Sequence, residues 1–290
     1  MDRIRHCRGM ILLADSGSTK TDWILTSDQT ADEPLRIKTQ GINPVYQSSK
    51  VLTGILQHEL LPFVKSFDIE EINFYGSGCR DGYIPSMQST FHKLFPYTDR
   101  INIHSDLLGA ARALCRDKEG IACILGTGSN SCLYDGKKIT YNVPSMGYIL
   151  GDEGSGAVLG RELINALFKG CLKEELCTKF CKQYNTNLAD IINKVYHLPL
   201  ANRLLASFCI FIKENIDDEN MKNIVIDNFR KFFIRNIRPY KHSDLDVNFC
   251  GSIAYFFQEE LAEAAQKEGF RVGNILRSPI EALGCFHTKQ

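Results

Sequence analysis

The sequence is short of several features that mark familiar classes of protein. Lys and Arg total 34 and so do Asp and Glu, so the basic excess that nucleic acid or an anionic membrane would require is missing. No apolar run is long enough to span a membrane, and the opening MDRIRHCRGM lacks the apolar segment of a signal peptide. We therefore expect a cytoplasmic protein that acts on a small molecule and binds neither nucleic acid nor membrane, with Met10 as a candidate functional start.

Closely spaced cysteines are also missing. The eleven cysteines are scattered, no CxxC pair occurs, and the one cluster consists of Cys171, Cys177 and Cys181. Zinc sites usually have closer pairs of ligands. This spacing favours free thiols in a reducing compartment over a metal site.

The sequence does contain alternating strand and helix signals. Apolar runs such as 10–14 and 72–75 end at glycines or polar turns, and helical periodicity follows at about 48–66 and 107–115. The pattern restarts near residue 117 with a strand, a hairpin about residues 135–136 and a helix at about 154, and 172–237 is nearly all helical in composition. This order predicts an α/β fold with parallel strand pairs, and 290 residues suffice for two packed domains.

Two glycine turns of matching form end apolar strands in the two halves. Residues 13–19 read LADSGST and residues 125–130 read LGTGSN. Glycine lets another group approach the backbone closely, and successive N–H groups in such a turn can bind an anion. One turn alone would be explained by a structural hairpin, but two related turns rich in Ser and Thr favour phosphate. The GSTKT run lacks the spacing of a Walker loop, so a different class of phosphate site is predicted.

Several polar residues at strand ends have both a chemical and a structural explanation. Asp15 would need a cation such as Mg²⁺, or it would cap its own turn. Asp106 begins a helix, where it would be a catalytic carboxylate or a simple helix cap. Asp152 and Glu153 would cap the next helix or point into a cleft, and Asn43 could belong to a plain Asn-Pro turn.

Four motifs in this order resemble the BadF/BadG-type ATPase family of the actin-like, sugar-kinase superfamily, which includes N-acetylglucosamine kinases. They are DSGSTKT (15–21), GTGSN (126–130), GDEGSGAVLGREL (151–163) and CGSIA (250–254). The resemblance implies two ribonuclease-H-like domains, as in actin-like ATPases, that face each other across a nucleotide cleft. It predicts an N-terminal domain over 10–116, completed by a C-terminal helix at about 277–290, and a C-terminal domain with a helical insertion over 117–276.

The resemblance also implies a role for each matched position. Asp106 would be the catalytic base, and Asp15 would organise Mg²⁺ beside ATP. The other implied positions bind phosphate (Gly17, Ser18, Thr19, Lys20, Gly126, Thr127, Gly128), the sugar (Asn43, Asn130, Asp152) and adenosine (Gly251, Ser252).

The predicted activity is therefore an ATP-dependent kinase of an amino sugar such as N-acetylglucosamine, acting at O6, and a homodimer is common among such relatives. The chain departs from the family at 144–148, which reads PSMGY in place of Gly-Gly-Trp-Gly, so glucosamine, N-acetylmuramate and other hexose derivatives stay open as substrates. An ATP-hydrolysing activator of a dehydratase is the alternative. It would share an iron–sulfur cluster across a dimer, and Cys115, Cys123 and Cys132 lie in the relevant half. A sugar sensor without ATP turnover is a third hypothesis.

Overall fold

The structure, a computed structural model, describes residues 9–17, 19–27 and 33–288. The chain divides into two compact units. Unit 1 comprises residues 1–117, 136–138 and 278–290, and unit 2 comprises 118–135 and 139–277.

Ten strands form two separate five-stranded sheets. In chain order they are β1 Met10–Ser16, β2 Lys20–Ser27, β3 Leu35–Gln40, β4 Ile69–Gly76, β5 Arg100–Ser105, β6 Glu119–Leu125, β7 Ser129–Asp135, β8 Ile139–Tyr141, β9 Val247–Cys250 and β10 Val272–Leu276.

The helices lie between these strands and dominate residues 147–268. In chain order they are α1 Ser49–Ile55, α2 Leu61–Val64, α3 Ile84–Leu94, α4 Asp106–Cys115, α5 Gly147–Leu150, α6 Gly156–Phe168, α7 Glu174–Gln183, α8 Leu188–His197, α9 Ala201–Ser207, α10 Cys209–Glu214, α11 Glu219–Phe232, α12 Ser252–Phe256, α13 Gln258–Glu268 and α14 Ile280–Thr288. Two π-helical segments, Leu56–Leu60 and Phe233–Ile237, and a 3₁₀ turn, Arg238–Tyr240, complete them.

The sheet of unit 1 has the strand order β3-β2-β1-β4-β5. The first three strands are antiparallel neighbours, whereas β1, β4 and β5 run parallel. The apolar residues of β1 are buried on both faces, which is why that strand has no polar alternation until Asp15. Trp23 packs with Phe74 and Phe91 at centroid distances of 5.8 and 6.4 Å, so it belongs to the core as its place in a strand predicts.

The sheet of unit 2 repeats this topology as β8-β7-β6-β9-β10. Strands β6, β7 and β8 are antiparallel neighbours, and β6, β9 and β10 run parallel. The first strand of each half, β1 or β6, therefore lies at the centre of its sheet. The two ribonuclease-H-like halves that the family resemblance implies are confirmed, and so is the α/β class.

Two predicted apolar helix faces are only partly correct. The helix expected at 48–66 runs from 49 to 64 but passes through the π segment at 56–60, and Val51 is 49% exposed. Phe256 is 44% exposed and is the last residue of α12, which ends one residue before α13 begins at Gln258. No helix in the described ranges has the length and apolar character needed to cross a membrane.

A glycine contact between two helices of unit 2 gives a test of the packing. A Cβ at Gly160 in α6 would lie 1.9 Å from the carbonyl oxygen of Leu205 in α9, so Gly160→Ala must push the helices apart. We expect a loss of about 1–3 kcal/mol in the free energy of unfolding, measured by urea denaturation. The matched control is Gly54→Ala in α1, where a Cβ meets nothing within 4 Å. That variant should gain about 0.5–1 kcal/mol. A Gly160→Ala protein as stable as wild type would contradict the helix contact.

Candidate active site

Three parallel strands of unit 1 end together at one edge of the sheet. Ser16, Gly76 and Ser105 are in register at the carboxyl ends of β1, β4 and β5. The Ser77 N–H, just beyond β4, donates to the Ser16 carbonyl at 2.8 Å. The residues that end or follow these strands are therefore close neighbours, and Asp106 is one of them.

Asp106 is not the cap of its helix. The N-cap of α4 is Ser105, whose Oγ accepts from the Leu108 N–H at 3.3 Å. Asp106 is the first helical residue, and its Oδ1 accepts from the N–H of Leu107 at 2.9 Å. Burial raises the pKa of Asp106 to about 6, against the opposing effect of backbone hydrogen bonds and the Ser77 hydroxyl. The structural explanation of Asp106 as a plain cap is thus wrong, and a buried carboxylate needs another explanation.

Asp15 is a second buried carboxylate at the same edge. Its pKa is raised to about 7, first by burial and then by the negative charges of Asp106 and Asp22, while Lys20 acts in the opposite direction. The Lys20 ammonium lies 2.5 Å from Asp22 Oδ2 rather than on Asp15. A carboxylate whose pKa is raised by a neighbouring carboxylate is a favourable site for a cation or a proton.

Hydrogen bonds of the buried Ser16 and Thr21 hydroxyls stabilise the turn after β1. The Ser16 and Thr21 hydroxyls are hydrogen-bonded at 2.7 Å, and Ser16 Oγ also bonds both backbone groups of Ile42. Gly17 N–H donates to the Lys20 carbonyl at 3.0 Å, so that amide is not available to an anion. Gly17, Thr19 and Lys20 are exposed, and Ser18, the remaining predicted phosphate ligand of this turn, lies outside the described residues.

Asn43 forms the turn that its sequence context predicts. Its Oδ1 accepts from the Val45 N–H at 3.0 Å, and its own N–H donates to Gln47 Oε1 at 2.7 Å. The side chain is buried against Gly78, where a Cβ would lie 2.4 Å from Asn43 Oδ1. Only the Nδ2 amide of this side chain stays without a partner in the described part of the chain.

In unit 2 the GTG turn is attached to the start of α6. The carbonyls of Gly126 and Thr127 accept from the N–H groups of Gly156 and Ala157 at 2.8 and 3.1 Å. The Gly126 N–H is used within the turn, on the Gly128 carbonyl at 2.9 Å. Within the described ranges the amides of Thr127 and Gly128 make no hydrogen bond, and they are the anion-binding groups that this turn offers.

Asp152 connects the GTG turn to the GDEGS motif. It has a left-handed backbone (φ 53°), and its buried carboxylate accepts from the N–H groups of Ser129 and Gly147. A Cβ at Gly128 would lie 3.0 Å from Asp152 Oδ2, so the glycine leaves room for this carboxylate. Burial raises the pKa of Asp152 to about 6. The N-cap of α6 is Ser155, so neither Asp152 nor its neighbour Glu153 caps that helix.

Glu153, the next residue of the GDEGS motif, is held by the side chains of Arg235 and Asn236. It accepts from Arg235 Nη1 at 2.6 Å and from Asn236 Nδ2 at 3.2 Å. Burial acts to raise the pKa of Glu153, but the bonds from Arg235 and Asn236 outweigh it and hold the pKa below its ordinary value. The two adjacent carboxylates therefore differ. Glu153 is paired with the side chains of Arg235 and Asn236, whereas Asp152 accepts from backbone N–H groups.

The Gly251-Ser252 turn lies beside the GTG turn because β9 is the parallel neighbour of β6, with Cys250 opposite Ile124. Gly251 has φ 122°, and a Cβ there would lie 2.3 Å from the Leu125 carbonyl oxygen. Only glycine permits this approach. Ser252 is the first residue of α12.

The cysteines named for an iron–sulfur cluster are all buried, namely Cys115, Cys123 and Cys132. Burial raises the pKa of Cys115 to about 11, which disfavours the thiolate that a cluster requires. No group of three or more His, Cys, Asp or Glu side chains that could hold a metal occurs in the described part of the chain. A cluster shared between two subunits would need surface cysteines, and these three are not at the surface.

Sequence reasoning missed several residues that shape these sites. The Ser77 hydroxyl is hydrogen-bonded to Asp106 and Ser105 caps its helix, and the glycine-rich end of the strand at 72–78 was the only signal for Ser77. Arg235 reaches Glu153 across 82 positions of sequence, and no local pattern marks such a pair. The Asn142 side chain likewise donates to Asn130 Oδ1, a residue 12 positions away in sequence that the β7–β8 hairpin brings close.

These two repeated halves with carboxylates at strand ends define the actin-like ATPase and sugar-kinase fold. The chain is similar to a crystal structure from Porphyromonas gingivalis, provisionally named an N-acetylglucosamine kinase, at 45% identity and a TM-score of 0.93, with 97% of this chain and 99% of that chain covered. A provisionally named N-acetylglucosamine kinase from Chromobacterium violaceum shares the fold at 17% identity and a TM-score of 0.73, over 97% and 99% of the two chains. A ROK hexokinase from Thermus thermophilus shares it at 15% identity and a TM-score of 0.54, over 96% and 98%.

No family model matches the chain, and no curated protein matches it. The identity and coverage of the Porphyromonas structure nevertheless decide the family. The chain belongs to the BadF/BadG-type branch of the actin-like sugar kinases, a group of ATP-dependent carbohydrate kinases.

The buried carboxylate of Asp106 should lower the stability of the protein at neutral pH. Its folded-state pKa of about 6 lies above the ordinary 3.8, so stability is lost as the pH rises through this interval. We expect Asp106→Asn to be about 1–3 kcal/mol more stable than wild type at pH 8, with a smaller difference at pH 5. Urea unfolding without nucleotide or Mg²⁺ measures this, with the exposed Asp81→Asn as control. A variant less stable than wild type at pH 8 would contradict the burial of this charge.

Proposed function

We propose that the protein phosphorylates an amino sugar such as N-acetylglucosamine at O6, with ATP as donor and Asp106 as general base. The single observation that supports this most is the state of Asp106, a half-buried carboxylate with a raised pKa that caps no helix and stands beside Asp15. A kinase needs such a group to accept the proton of the attacking hydroxyl. A domain that only bound sugar would not.

The pKa of Asp106 suits this role. A value of about 6 leaves the carboxylate ionised at neutral pH, yet makes it a better proton acceptor than an exposed aspartate. Because phosphoryl transfer depends mainly on positioning and charge stabilisation, the fixed contacts of Asp106 with Leu107 and Ser77 matter as much as its basicity.

The phosphates of ATP are proposed to bind the two glycine turns. In unit 2 the unpaired amides of Thr127 and Gly128 supply donors, and a Cβ at Gly126 would enter open space, which leaves room for a ligand. In unit 1 the exposed Gly17, Thr19 and Lys20 would contribute, together with Ser18.

Asp15 fits a Mg²⁺ ion that accompanies the nucleotide. Its pKa is raised to about 7 by burial and by neighbouring carboxylates, and a cation would relieve that repulsion. Mg²⁺ keeps several waters and binds through one or two carboxylates plus phosphates, so one side chain is sufficient. When bound, the ion would neutralise charge on the transferred phosphoryl group.

The sugar is proposed to contact Asn43, Asn130 and Asp152, and the nucleoside to lie on the Gly251-Ser252 turn. Asn43 would offer its Nδ2, and Asp152 would offer its carboxylate as an acceptor. The preference for an acetamido group rests on the name of the Porphyromonas relative. Residues 144–148 replace the Gly-Gly-Trp-Gly motif of the family. They are the segment that would change the preference for an acetamido group.

Replacing the proposed base should stop chemistry while leaving sugar binding intact. We expect Asp106→Asn to lower kcat by about 10²–10⁴-fold and to change the KM for sugar by no more than about threefold. A coupled assay of ADP release with Mg²⁺ measures both values, and Asp81→Asn is the matched control on an exposed carboxylate. Undiminished turnover in Asp106→Asn would remove the general-base assignment.

A substrate panel tests the activity itself. ATP consumption with Mg²⁺ should be stimulated strongly by one amino sugar, and N-acetylglucosamine, glucosamine, N-acetylmuramate and glucose form the minimal set. A product with phosphate at O6, identified by NMR, is the expected result. ATP hydrolysis that no sugar stimulates would refute the kinase proposal.

A further inference from the structure

The side-chain amide of Asn142, directly after β8, lies within hydrogen-bond distance of three acceptors, so two of them share one N–H. Its Nδ2 donates to Asn130 Oδ1 at 2.9 Å, to the Ser131 carbonyl at 2.7 Å and to the Val143 carbonyl at 3.1 Å. Tyr240 braces the same region, because its hydroxyl bonds Ser131 Oγ at 2.7 Å and accepts from the Val143 N–H at 3.2 Å. The position of the Asn142 amide is therefore well determined.

These contacts decide which way the Asn130 amide points. Asn130 Oδ1 accepts from two donors, the Ser131 N–H at 2.9 Å and Asn142 Nδ2. An amide turned by 180° would place its NH₂ group against both donors and lose both bonds. The oxygen of Asn130 consequently faces the hairpin, and its Nδ2 has no partner within the described ranges.

Asp152 supplies the opposite chemistry close by. Its carboxylate bonds the N–H of Ser129, the residue before Asn130, and lies against Gly128. An ionised carboxylate only accepts hydrogen bonds, and Asn130 in this orientation only donates them. Neighbouring groups of opposite type suit a polyhydroxylated ligand, since one hydroxyl can accept from Asn130 while another donates to Asp152.

We propose that Asn142 is a positioning residue for substrate selection, which orients Asn130 so that it presents only N–H donors to an acceptor oxygen of the sugar. The inference rests on the proposed function in one respect, namely that Asn130 binds the sugar. Asn142 itself touches no substrate, because its amide hydrogens are directed at protein acceptors. The substrate class that follows is a sugar with an unsubstituted oxygen acceptor at the position facing Asn130.

A double-mutant cycle separates positioning from simple structural support. We expect Asn130→Ala and Asn142→Ala each to raise the KM for sugar about 3- to 10-fold, with the KM for ATP unchanged. In the Asn130→Ala background, Asn142→Ala should have no further effect, because the group it orients has been removed. Thr140→Ala is the matched control, since it deletes a bond from a side chain to the Leu133 carbonyl (3.2 Å) in the same hairpin. It should leave the KM for sugar as in wild type.

Asn130→Asp tests the direction of the hydrogen bond. A carboxylate can still accept from Ser131 and Asn142, so the melting temperature should stay near that of wild type. Its outward oxygen is an acceptor where the Asn130 amide presents a donor, so the KM for sugar should rise more than in Asn130→Ala.

The possible failures can be told apart. Wild-type enzyme that no sugar stimulates refutes the proposed function, and the inference with it. An Asn130→Ala variant with unchanged KM refutes the role of Asn130 in sugar binding. If Asn130→Ala has the expected effect but Asn142→Ala does not, or if the two effects add, the positioning role alone is overturned. The same holds if Asn130→Asp binds sugar as wild type does.

Discussion

The register of the parallel strands in unit 1 is the constraint on which the candidate chemistry depends. Because β1, β4 and β5 end in line, Asp15, Ser77 and Asp106 occupy neighbouring positions without any loop having to bring them there. Burial of two carboxylates at one edge opposes folding, and the raised pKa values express that cost. A core around Trp23 and Phe74 supplies the stability that tolerates it.

Unit 2 uses the same topology for different chemistry. Its central strand β6 ends in a turn whose carbonyls are attached to α6 and whose free amides belong to Thr127 and Gly128. The acidic group here, Asp152, has a left-handed backbone and accepts from the N–H groups of Ser129 and Gly147, and its neighbour Glu153 is paired with Arg235. A duplicated fold thus provides carboxylates in one half and mainly backbone donors in the other.

Membership of the BadF/BadG-type sugar kinases agrees with the duplicated fold, and the three cysteines named for an iron–sulfur cluster are buried. The departure from the family motif lies at residues 144–148. Asn142 orients Asn130, and Gly147 donates to Asp152, so the departure at 144–148 is connected by hydrogen bonds to the proposed sugar ligands. Differences in substrate preference would be transmitted through these bonds.

The sequence by itself determined the α/β class, the duplication and most element positions, because the period of apolar residues and the glycine stops are local signals. It also pointed to Asp106, but it could not tell a base from a helix cap. Only the tertiary structure showed that Asp106 is not the cap, by placing Ser105 at the cap position and Ser77 beside the carboxylate, and the role of Asp106 as a base stays a prediction. The exposure of Val51 and Phe256, the pairing of Glu153 with Arg235 and the orientation of Asn130 were likewise decided by contacts distant in sequence or by breaks in helices. Such contacts depend on how elements pack, and no local pattern of residues records them.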